Sequence, residues 1–306
     1  MKRTAVSLIC LMLAACGSGS GPNTAPHSTP HTAWCVDVAR FSPEVAVTAE
    51  ATSATLAAIQ TARFTCIRTN YDPRVRSSGW LDKARTLGLG LVLITPYPTT
   101  DDFADPTAYT NLVTTGMRAY PGQSWELVNE PDAMPPAQYN ALFEAVIPKM
   151  RAADPTATII SGGFVAVTPK TLSWLMSIQP LWALVDEIGI HPYPPPWEQV
   201  PIAALPSLLA QITTISGKPA VVTEWGLAQQ DGPKPFVAGA PLDNPLSPEQ
   251  AAADMTTMIA TVNGTTPLFS IYEWDNADNP WGESEGFGIV GTPELSAFTT
   301  AQAHLH

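Results

Sequence analysis

From residue 32 onwards, the sequence repeats one unit about eight times: a short apolar run followed by an amphipathic stretch of helical period. Apolar runs that are each followed by a helix are typical of a parallel sheet with covered faces. This pattern predicts strands near residues 33–38, 64–69, 90–95, 124–129, 157–162, 186–191, 219–224 and 268–274. Helices are predicted near 43–62, 76–87, 106–119, 136–153, 169–178, 200–214, 247–262 and 293–304.

Eight strand–helix units in roughly 275 residues fit a (β/α)8 TIM barrel, a fold that keeps its active site at the C-terminal ends of the strands. The competing fold is a doubly wound open sheet, but no Gly-x-Gly-x-x-Gly sequence follows the first predicted strand. We therefore predict an α/β fold with a single (β/α)8 barrel domain over residues 32–306.

The first thirty residues have the features of an export signal. Lys2 and Arg3 precede an apolar run, Ala5 to Ala15, that is too short to span a bilayer, as in a secretory signal peptide. The segment 13–16, Leu-Ala-Ala-Cys, resembles the lipobox of bacterial lipoproteins, in which the cysteine is lipidated; the alternative is ordinary cleavage and secretion. We predict a signal peptide over 1–16 with lipidation at Cys16, a Gly/Ser/Pro-rich tether over 17–31, and a lipid anchor at the cell envelope.

Composition excludes several classes of partner. The net charge is −12, and the Lys and Arg residues are scattered along the chain. Nucleic acids and anionic lipid surfaces require a clustered basic footprint, so neither is expected as a partner. No apolar run after residue 16 approaches the ~18–20 residues of a membrane-spanning helix. We expect a monomer that meets the membrane only through its N-terminal anchor.

Four cysteines are present, and two of them belong to the signal segment. The other two, Cys35 and Cys66, fall on the first two predicted strands. They could pair in an oxidising compartment, or they could be small buried hydrophobic residues. No metal-ligand spacing exists among the cysteines, so neither a metal nor another cofactor is expected.

Polar and aromatic side chains occur where several predicted strands end. They are Arg68 on the second strand, Asn129 and Glu130 on the fourth, His191 and Tyr193 on the sixth, Glu224 and Trp225 on the seventh, and Trp274 on the eighth. Each residue alone could serve packing or a structural ion pair. Together they lie at the one rim where barrel enzymes keep their sites.

The two glutamates suggest glycoside hydrolysis. That reaction needs one carboxylic acid to protonate the leaving oxygen and one carboxylate to attack the sugar or to activate water. The fourth and seventh strands face each other across a barrel mouth, so Glu130 and Glu224 can point toward one bond. Arg68 is the candidate for keeping one carboxylate ionised, because a permanent cation lowers the pKa of a carboxylate that it contacts.

Asn129-Glu130-Pro131 and Thr223-Glu224-Trp225-Gly226 resemble the retaining β-glycosidases of glycoside hydrolase clan A, nearest to families 5 and 39. The similarity spans residues 33 to about 300 in strand order. It implies that Glu130 is the general acid/base and Glu224 the nucleophile, with a carbohydrate as substrate. It also implies that Asn129 binds the sugar 2-hydroxyl.

The same resemblance implies four further roles. Arg68 would hold the nucleophile, and His191 and Tyr193 would bind substrate, with Tyr193 near the nucleophile. Trp274 would form the floor of the −1 subsite. The chain departs from the family pattern after the third strand, where many members have a histidine and this sequence has Tyr97.

Aromatic residues in the predicted strand-end loops point to an open cleft for a polysaccharide. They are Tyr97, Trp197, Trp225, Trp274 and Trp281, although the second and last could simply pack their loops. Two other functions stay open: a non-catalytic carbohydrate-binding lipoprotein on the same barrel, and a transglycosylase. A metal-dependent hydrolase would need several histidine ligands at strand ends, whereas His191 is the one histidine outside the tether and the C-terminal tail.

Overall fold

The computed structural model describes residues 32–38, 49–73, 79–164, 167–194, 200–228, 236–237, 240–241, 246–275 and 287–305. The predicted signal peptide with Cys16, the tether, and the loop residues Trp197 and Trp281 lie outside the described residues.

Eight strands form the central sheet: β1 (Ala33–Asp37), β2 (Cys66–Asn70), β3 (Gly90–Ile94), β4 (Ser124–Leu127), β5 (Thr158–Phe164), β6 (Glu187–Ile190), β7 (Ala220–Trp225) and β8 (Leu268–Ile271). They pair in parallel in the order β1-β8-β7-β6-β5-β4-β3-β2 and close into a barrel. Two short strands between β7 and β8, Phe236–Val237 and Ala240–Pro241, form a separate antiparallel hairpin. The closed parallel barrel confirms the predicted fold.

Helices follow the barrel strands: α1 (Ala49–Thr61), α2 (Trp80–Thr86), α3 (Thr100–Ala104), α4 (Thr107–Ala119), α5 (Pro136–Ala153), α6 (Pro169–Ser177), α7 (Leu205–Ser216), α8 (Pro248–Val262) and α9 (Pro293–Ala303). Proline fits the first turn of a helix, where its missing N–H has no partner to lose. It begins α5 and α8, and the Ser247 hydroxyl caps α8 by accepting from the Gln250 N–H at 3.2 Å. Within the described ranges, no helix has the length and apolar character needed to cross a membrane.

Successive side chains of a strand point to opposite faces of the sheet, and this alternation separates two apolar layers. The larger layer lies between the outer face of the barrel and the helices, and it includes Trp34, Val222 and Phe269. A smaller layer fills the lower interior of the barrel; its members are Cys35, Cys66, Val92, Ile160, Val221 and Leu268. We call this interior layer the barrel floor.

A disulfide bond joins Cys35 and Cys66 within the barrel floor. The two residues are register partners on the adjacent strands β1 and β2. The alternative of two unpaired buried thiols, which the sequence leaves open, is therefore not adopted. Two residues further along the same strands, Asp37 and Arg68 are also register partners, and they face the interior above the floor.

Two strands, β5 and β7, each contain a register irregularity that places an extra residue near the mouth of the barrel. On β5, Ser161 and Phe164 pair with Ile188 and Ile190, so three residues on β5 span the distance of two on β6. On β7, Val222 and Trp225 pair with Phe269 and Ile271 in the same way. A bulge inserts one extra residue into a strand and redirects the following side chains. Gly162 and Gly163 occupy the first bulge, and Thr223 and Glu224 occupy the second.

Candidate active site

Arg68 is the centre of the polar cluster at the barrel mouth. Its side chain is buried and projects inward from β2. Nε donates to Glu126 at 2.6 Å, Nη1 donates to Asp37 at 2.8 Å and to Glu224 at 2.6 Å, and Nη2 donates to the Asn129 amide oxygen at 2.7 Å. A guanidinium has five N–H donors in a rigid plane, so these contacts use four of them and fix its orientation. The surrounding carboxylates outweigh burial and raise the pKa of Arg68 well above its ordinary value, so it stays charged.

Glu224 has both carboxylate oxygens held in place. Oε1 accepts from Arg68 at 2.6 Å, and Oε2 accepts from the Tyr193 hydroxyl at 2.9 Å. Burial and the Glu224 charge raise the pKa of Tyr193 well above its usual value, so the hydroxyl keeps its proton and donates. Arg68 and Tyr193 thus contact Glu224, as the resemblance implies, and together they fix the orientation of its carboxylate.

Glu130 lies just past the end of β4, in a strained turn. The predicted strand extends to residue 129, but the observed one ends at Leu127, because Val128 and Glu130 adopt left-handed conformations with φ of 66° and 47°. Such conformations are costly for non-glycine residues and concentrate at functional sites. The Glu130 N–H donates to the Gly163 carbonyl at 3.0 Å, and the side chain is 35% exposed. The turn therefore presents a partly exposed carboxyl at the mouth.

The glycines of the β5 bulge permit this arrangement. A Cβ on Gly162 would lie 2.5 Å from the Leu127 carbonyl oxygen and 2.6 Å from the Pro131 ring. A Cβ on Gly163 would overlap the His191 imidazole and the Thr223 hydroxyl. Only glycine leaves room for the β4 turn and for His191 at these two positions.

His191 lies between the two glutamates and is fully buried. Its Nδ1 is 3.5 Å from Glu130 Oε1 and 3.5 Å from Glu224 Oε2, and its Nε2 is 3.9 Å from Glu126 Oε1. Burial alone would lower the pKa of His191, but the charges of Glu224, Glu126 and Glu130 raise it to about 10. His191 Nδ1 thus lies between the two carboxylates, although neither ring nitrogen makes a hydrogen bond to the described residues.

Two buried acids that the sequence motifs do not identify lie below the pair. Glu126 accepts from Arg68 and from the Gly163 N–H at 3.0 Å. Burial alone would raise the pKa of Glu126, but Arg68 and His191 outweigh it and lower that pKa to about 2. Burial raises the pKa of Asp37 to about 7 despite the contact with Arg68, and the charge of Glu224 adds to the rise. One signal was available for Glu126, which is a charged residue between the apolar residues Trp125 and Leu127 of β4.

Two predicted tryptophans lie away from the cluster. Trp225 is fully buried in the outer layer, with its ring 5.8 Å from that of Phe269. Trp274 belongs to the same layer and packs edge-on against Phe64 at 6.3 Å. Rings buried between the barrel and its helices cannot lie against a sugar. This placement corrects their predicted substrate contact. The extra residue of the β7 bulge puts Trp225 on the outer face, and Trp274 lies beyond the end of β8, where the alternation no longer holds.

Tyr272 takes the interior position instead. It is partly exposed and follows the inward residues Leu268 and Ser270 of β8 with a period of two. Its ring centroid is 6.5 Å from that of Tyr193 and 5.7 Å from that of Phe287. The alternation along β8 was the signal that could have identified it.

Tyr97 is the most exposed aromatic ring on the described surface, with 53% of the residue accessible. Its hydroxyl donates to the Glu130 carbonyl at 3.0 Å. Burial and the charges of Glu130 and Asp132 raise the pKa of Tyr97 to about 12. Tyr109 holds the preceding segment by donating to the Pro96 carbonyl at 2.9 Å, so the loop presents the Tyr97 ring in a fixed position.

The cluster is suited to acid–base chemistry on one bond. Glu130, His191 and Glu224 each offer an atom, and these atoms lie within 4.8 Å of one another. That spacing could also hold a metal ion. The Arg68 guanidinium already lies 2.6 Å from Glu224, however, and this fixed positive charge disfavours a metal cation beside the same carboxylate.

Comparison with known proteins yields structural neighbours. No protein-family model and no curated protein matches the sequence. A family 39 glycoside hydrolase from Bacteroides cellulosilyticus WH2 superposes with a TM-score of 0.65 and 17% identity, over 90% of this chain and 64% of that one. A GH2 β-galacturonidase from Eisenbergiella tayi gives a TM-score of 0.67 and 15% identity, over 90% and 52% of the two chains.

A glucosidase from Croceicoccus marinus gives a TM-score of 0.64 and 14% identity, over 82% of this chain and 62% of that one. The chain thus spans less than two thirds of the length of each of these three structures. At this level of identity, the likeness establishes the shared barrel fold.

Proposed function

We propose that this protein is a retaining β-glycoside hydrolase, with Glu224 as the nucleophile and Glu130 as the general acid/base. The observation that carries the proposal is the short distance between the two carboxylates, whose facing oxygens lie within 4.8 Å. Retaining glycosidases separate their two carboxyl groups by about 5–5.5 Å, whereas inverting enzymes need about 6.5–9.5 Å to fit a water molecule. The separation favours direct attack by Glu224.

The surroundings of each carboxylate agree with these roles. Glu224 is buried and holds two hydrogen bonds, which suits a nucleophile of fixed orientation. Glu130 is partly exposed, which suits a group that must reach a leaving group and then a water molecule. Asn129 gives its amide oxygen to Arg68, so its NH2 group is oriented to donate to the sugar 2-hydroxyl.

The reaction proceeds in two displacements. Glu224 attacks the anomeric carbon while the bond to the leaving oxygen breaks and Glu130 protonates that oxygen. Glu130 then removes a proton from water, the water oxygen bonds to the anomeric carbon, and the Glu224 carboxylate leaves. A transglycosylase would use a second sugar in place of water and the same residues.

The test is hydrolysis of a substrate panel by residues 32–306. The panel contains β-glucans, mannans, xylans and bacterial exopolysaccharides, with aryl β-glucosides, β-glucuronides and β-galacturonides added because proteins of those activities share the fold. We expect reducing ends to appear, with the β-anomer as the first product by proton NMR. An α-anomer as first product would contradict retention.

Glu224→Ala is expected to abolish turnover, and added azide should restore part of it by forming a glycosyl azide. Glu144→Ala, a change on the exposed face of α5, is the matched control and should behave as wild type. Binding to a polysaccharide without release by either protein would favour the carbohydrate-binding lipoprotein. Loss of wild-type activity with a chelator would favour a metal-dependent reaction.

We also propose that the protein is exported and anchored by a lipid at Cys16. The basic pair, the short apolar run and the lipobox-like segment support this location, as does the disulfide between Cys35 and Cys66. Structural disulfides persist in oxidising compartments and are rare in the cytosol.

A further inference from the structure

Asp37 and Glu224 share one nitrogen of the Arg68 guanidinium. Nη1 carries two N–H groups, and one reaches Asp37 Oδ2 at 2.8 Å while the other reaches Glu224 Oε1 at 2.6 Å. A charge-assisted bond draws positive charge toward its acceptor, so two carboxylates on one nitrogen compete for it. The ionisation of Asp37 therefore changes how strongly Arg68 holds Glu224.

The fold keeps Asp37 in this position. It is the register partner of Arg68 on the neighbouring strand, and the disulfide two residues below fixes the same pair of strands. Its backbone carbonyl accepts from the Trp274 N–H at 3.0 Å, which ties the end of β1 to the segment after β8. These contacts hold the end of β1, and with it Asp37, beside Arg68.

Among the described residues, the charges that face Asp37 come from three strands. They are Arg68 on β2, Glu126 on β4 and Glu224 on β7, while β8 contributes the backbone N–H of Trp274. Burial, opposed by Arg68 and helped by the two glutamates, raises the pKa of Asp37 to about 7. Asp37 therefore changes charge in the pH range where an enzyme of this kind is assayed.

We propose that Asp37 is a positioning residue for the reaction, and that its negative charge changes the relative rates of the two displacements. An ionised Asp37 competes for Nη1 and so weakens the interaction between Arg68 and Glu224. This inference rests on the double-displacement function proposed above. When Asp37 is neutral, the full guanidinium charge stabilises the Glu224 carboxylate, which helps Glu224 to leave in the second displacement. When Asp37 is ionised, Glu224 attacks more readily but leaves less readily.

The test uses 2,4-dinitrophenyl β-glycosides, with the glucoside, xyloside, mannoside, galactoside and glucuronide assayed in parallel. Dinitrophenolate leaves without protonation, so the second displacement limits kcat and the first appears as a burst of dinitrophenolate. For the wild type, we expect kcat to fall by roughly three- to tenfold between about pH 6 and about pH 8, the size of effect that one neighbouring charge produces.

Asp37→Asn keeps the shape and an oxygen acceptor for Nη1 but cannot ionise. We expect this variant to give a burst followed by a kcat that stays flat over the same pH range. Asp37→Glu keeps an ionisable group at a longer reach and should retain a fall in kcat at a shifted pH. Asp105→Asn, which changes an exposed acid, should reproduce the wild-type profile.

The outcomes separate this inference from the function on which it rests. A burst in both proteins, with the fall in kcat persisting in Asp37→Asn, overturns the role of Asp37 and leaves the glycosidase intact. Unchanged turnover in Glu224→Ala overturns the function itself. If Asp37→Asn unfolds, as judged by its thermal midpoint, the Asp37→Glu profile decides: a fall at the unchanged pH overturns the inference.

Discussion

At the scale of single residues, the site depends on one cation that serves four polar partners. Arg68 contacts two residues that the sequence motifs identify, Asn129 and Glu224, and two that they do not, Asp37 and Glu126. A buried cation with several buried anions is stable only when each charge is paired and hydrogen-bonded. Loss of Arg68 would leave three buried carboxylates in mutual repulsion, so its effect would extend well beyond the nucleophile.

Tyr97 is expected to contact the sugar on the leaving-group side. β3 lies next to β4 and directly opposite β7 in the barrel, so its loop flanks Glu130 and lies away from Glu224. β4 and β7 are therefore one strand away from the directly facing positions that the sequence predicts. Covering half of an exposed aromatic ring contributes about 1–2 kcal/mol. We expect Tyr97→Ala to raise KM for an oligosaccharide by about tenfold, since about 1.4 kcal/mol corresponds to a factor of ten in binding.

Two comparisons make that measurement specific to the ring. Tyr97→Phe keeps the ring and loses only the hydroxyl, so it should stay close to the wild-type KM. The matching β-glycosyl fluoride has a leaving group too small to reach Tyr97, so Tyr97→Ala should barely change its hydrolysis. If Tyr97→Ala slows hydrolysis of the fluoride and of the oligosaccharide equally, Tyr97 maintains the conformation of its loop and does not contact the sugar.

The sequence identifies the residues of this site that follow strand ends within recognisable motifs. Glu130, Glu224, Arg68, Asn129, His191 and Tyr193 are brought together in the structure, although their roles stay predictions. Asp37, Glu126 and Tyr272 were missed because their importance depends on which face of a strand points inward. Trp225 and Trp274 were misplaced because the β7 bulge and the end of β8 interrupt the side-chain period of two.

At the scale of elements, the strand bulges explain why motif position alone is insufficient. The β7 bulge lets both Thr223 and Glu224 face the interior, and it leaves Trp225 on the outer layer. The β5 bulge places Gly162 and Gly163 against the β4 turn and His191. A bulge is a mismatch between two partner strands, so it cannot be read from the periodicity of either strand alone.

The disulfide is expected to stabilise the β1–β2 pair substantially. Closing a loop between residues 31 apart corresponds to about 3–4 kcal/mol of unfolding free energy in the chain-entropy account. For a domain of this size, we expect Cys35→Ala/Cys66→Ala to lower the thermal midpoint by on the order of 5–12 °C.

The matched control for this prediction is chemical. A reductant present throughout the melt should lower the wild-type midpoint and leave the double variant unchanged. Two free thiols titrated in the unreduced, denatured wild type would contradict the bond.

At the scale of the whole molecule, the repeat of strands and helices was sufficient to predict the fold. Eight apolar runs bounded by helical stretches leave few alternatives to a closed parallel barrel, and short connections bring their C-terminal ends to one rim. The substrate was not predictable in the same way, because the loops that shape the cleft have no periodicity. The barrel covers only part of each structural neighbour, so those proteins do not identify the sugar.

The proposed lipid anchor affects the whole molecule, because it would hold the barrel at a membrane. The chain has a net charge of −12, so its surface alone would not be attracted to an anionic bilayer. A single acyl chain binds a bilayer only weakly, whereas two or more give stable attachment.

Expressed as the full chain in a bacterium with lipoprotein processing, the protein is expected to incorporate labelled palmitate and to sediment with membranes. Cys16→Ser should lose the label and move to the soluble fraction, while Cys10→Ser, a change within the apolar run, should keep both properties. Labelled palmitate in Cys16→Ser would contradict lipidation at this residue, and a wild type that is cleaved but unlabelled would indicate ordinary secretion.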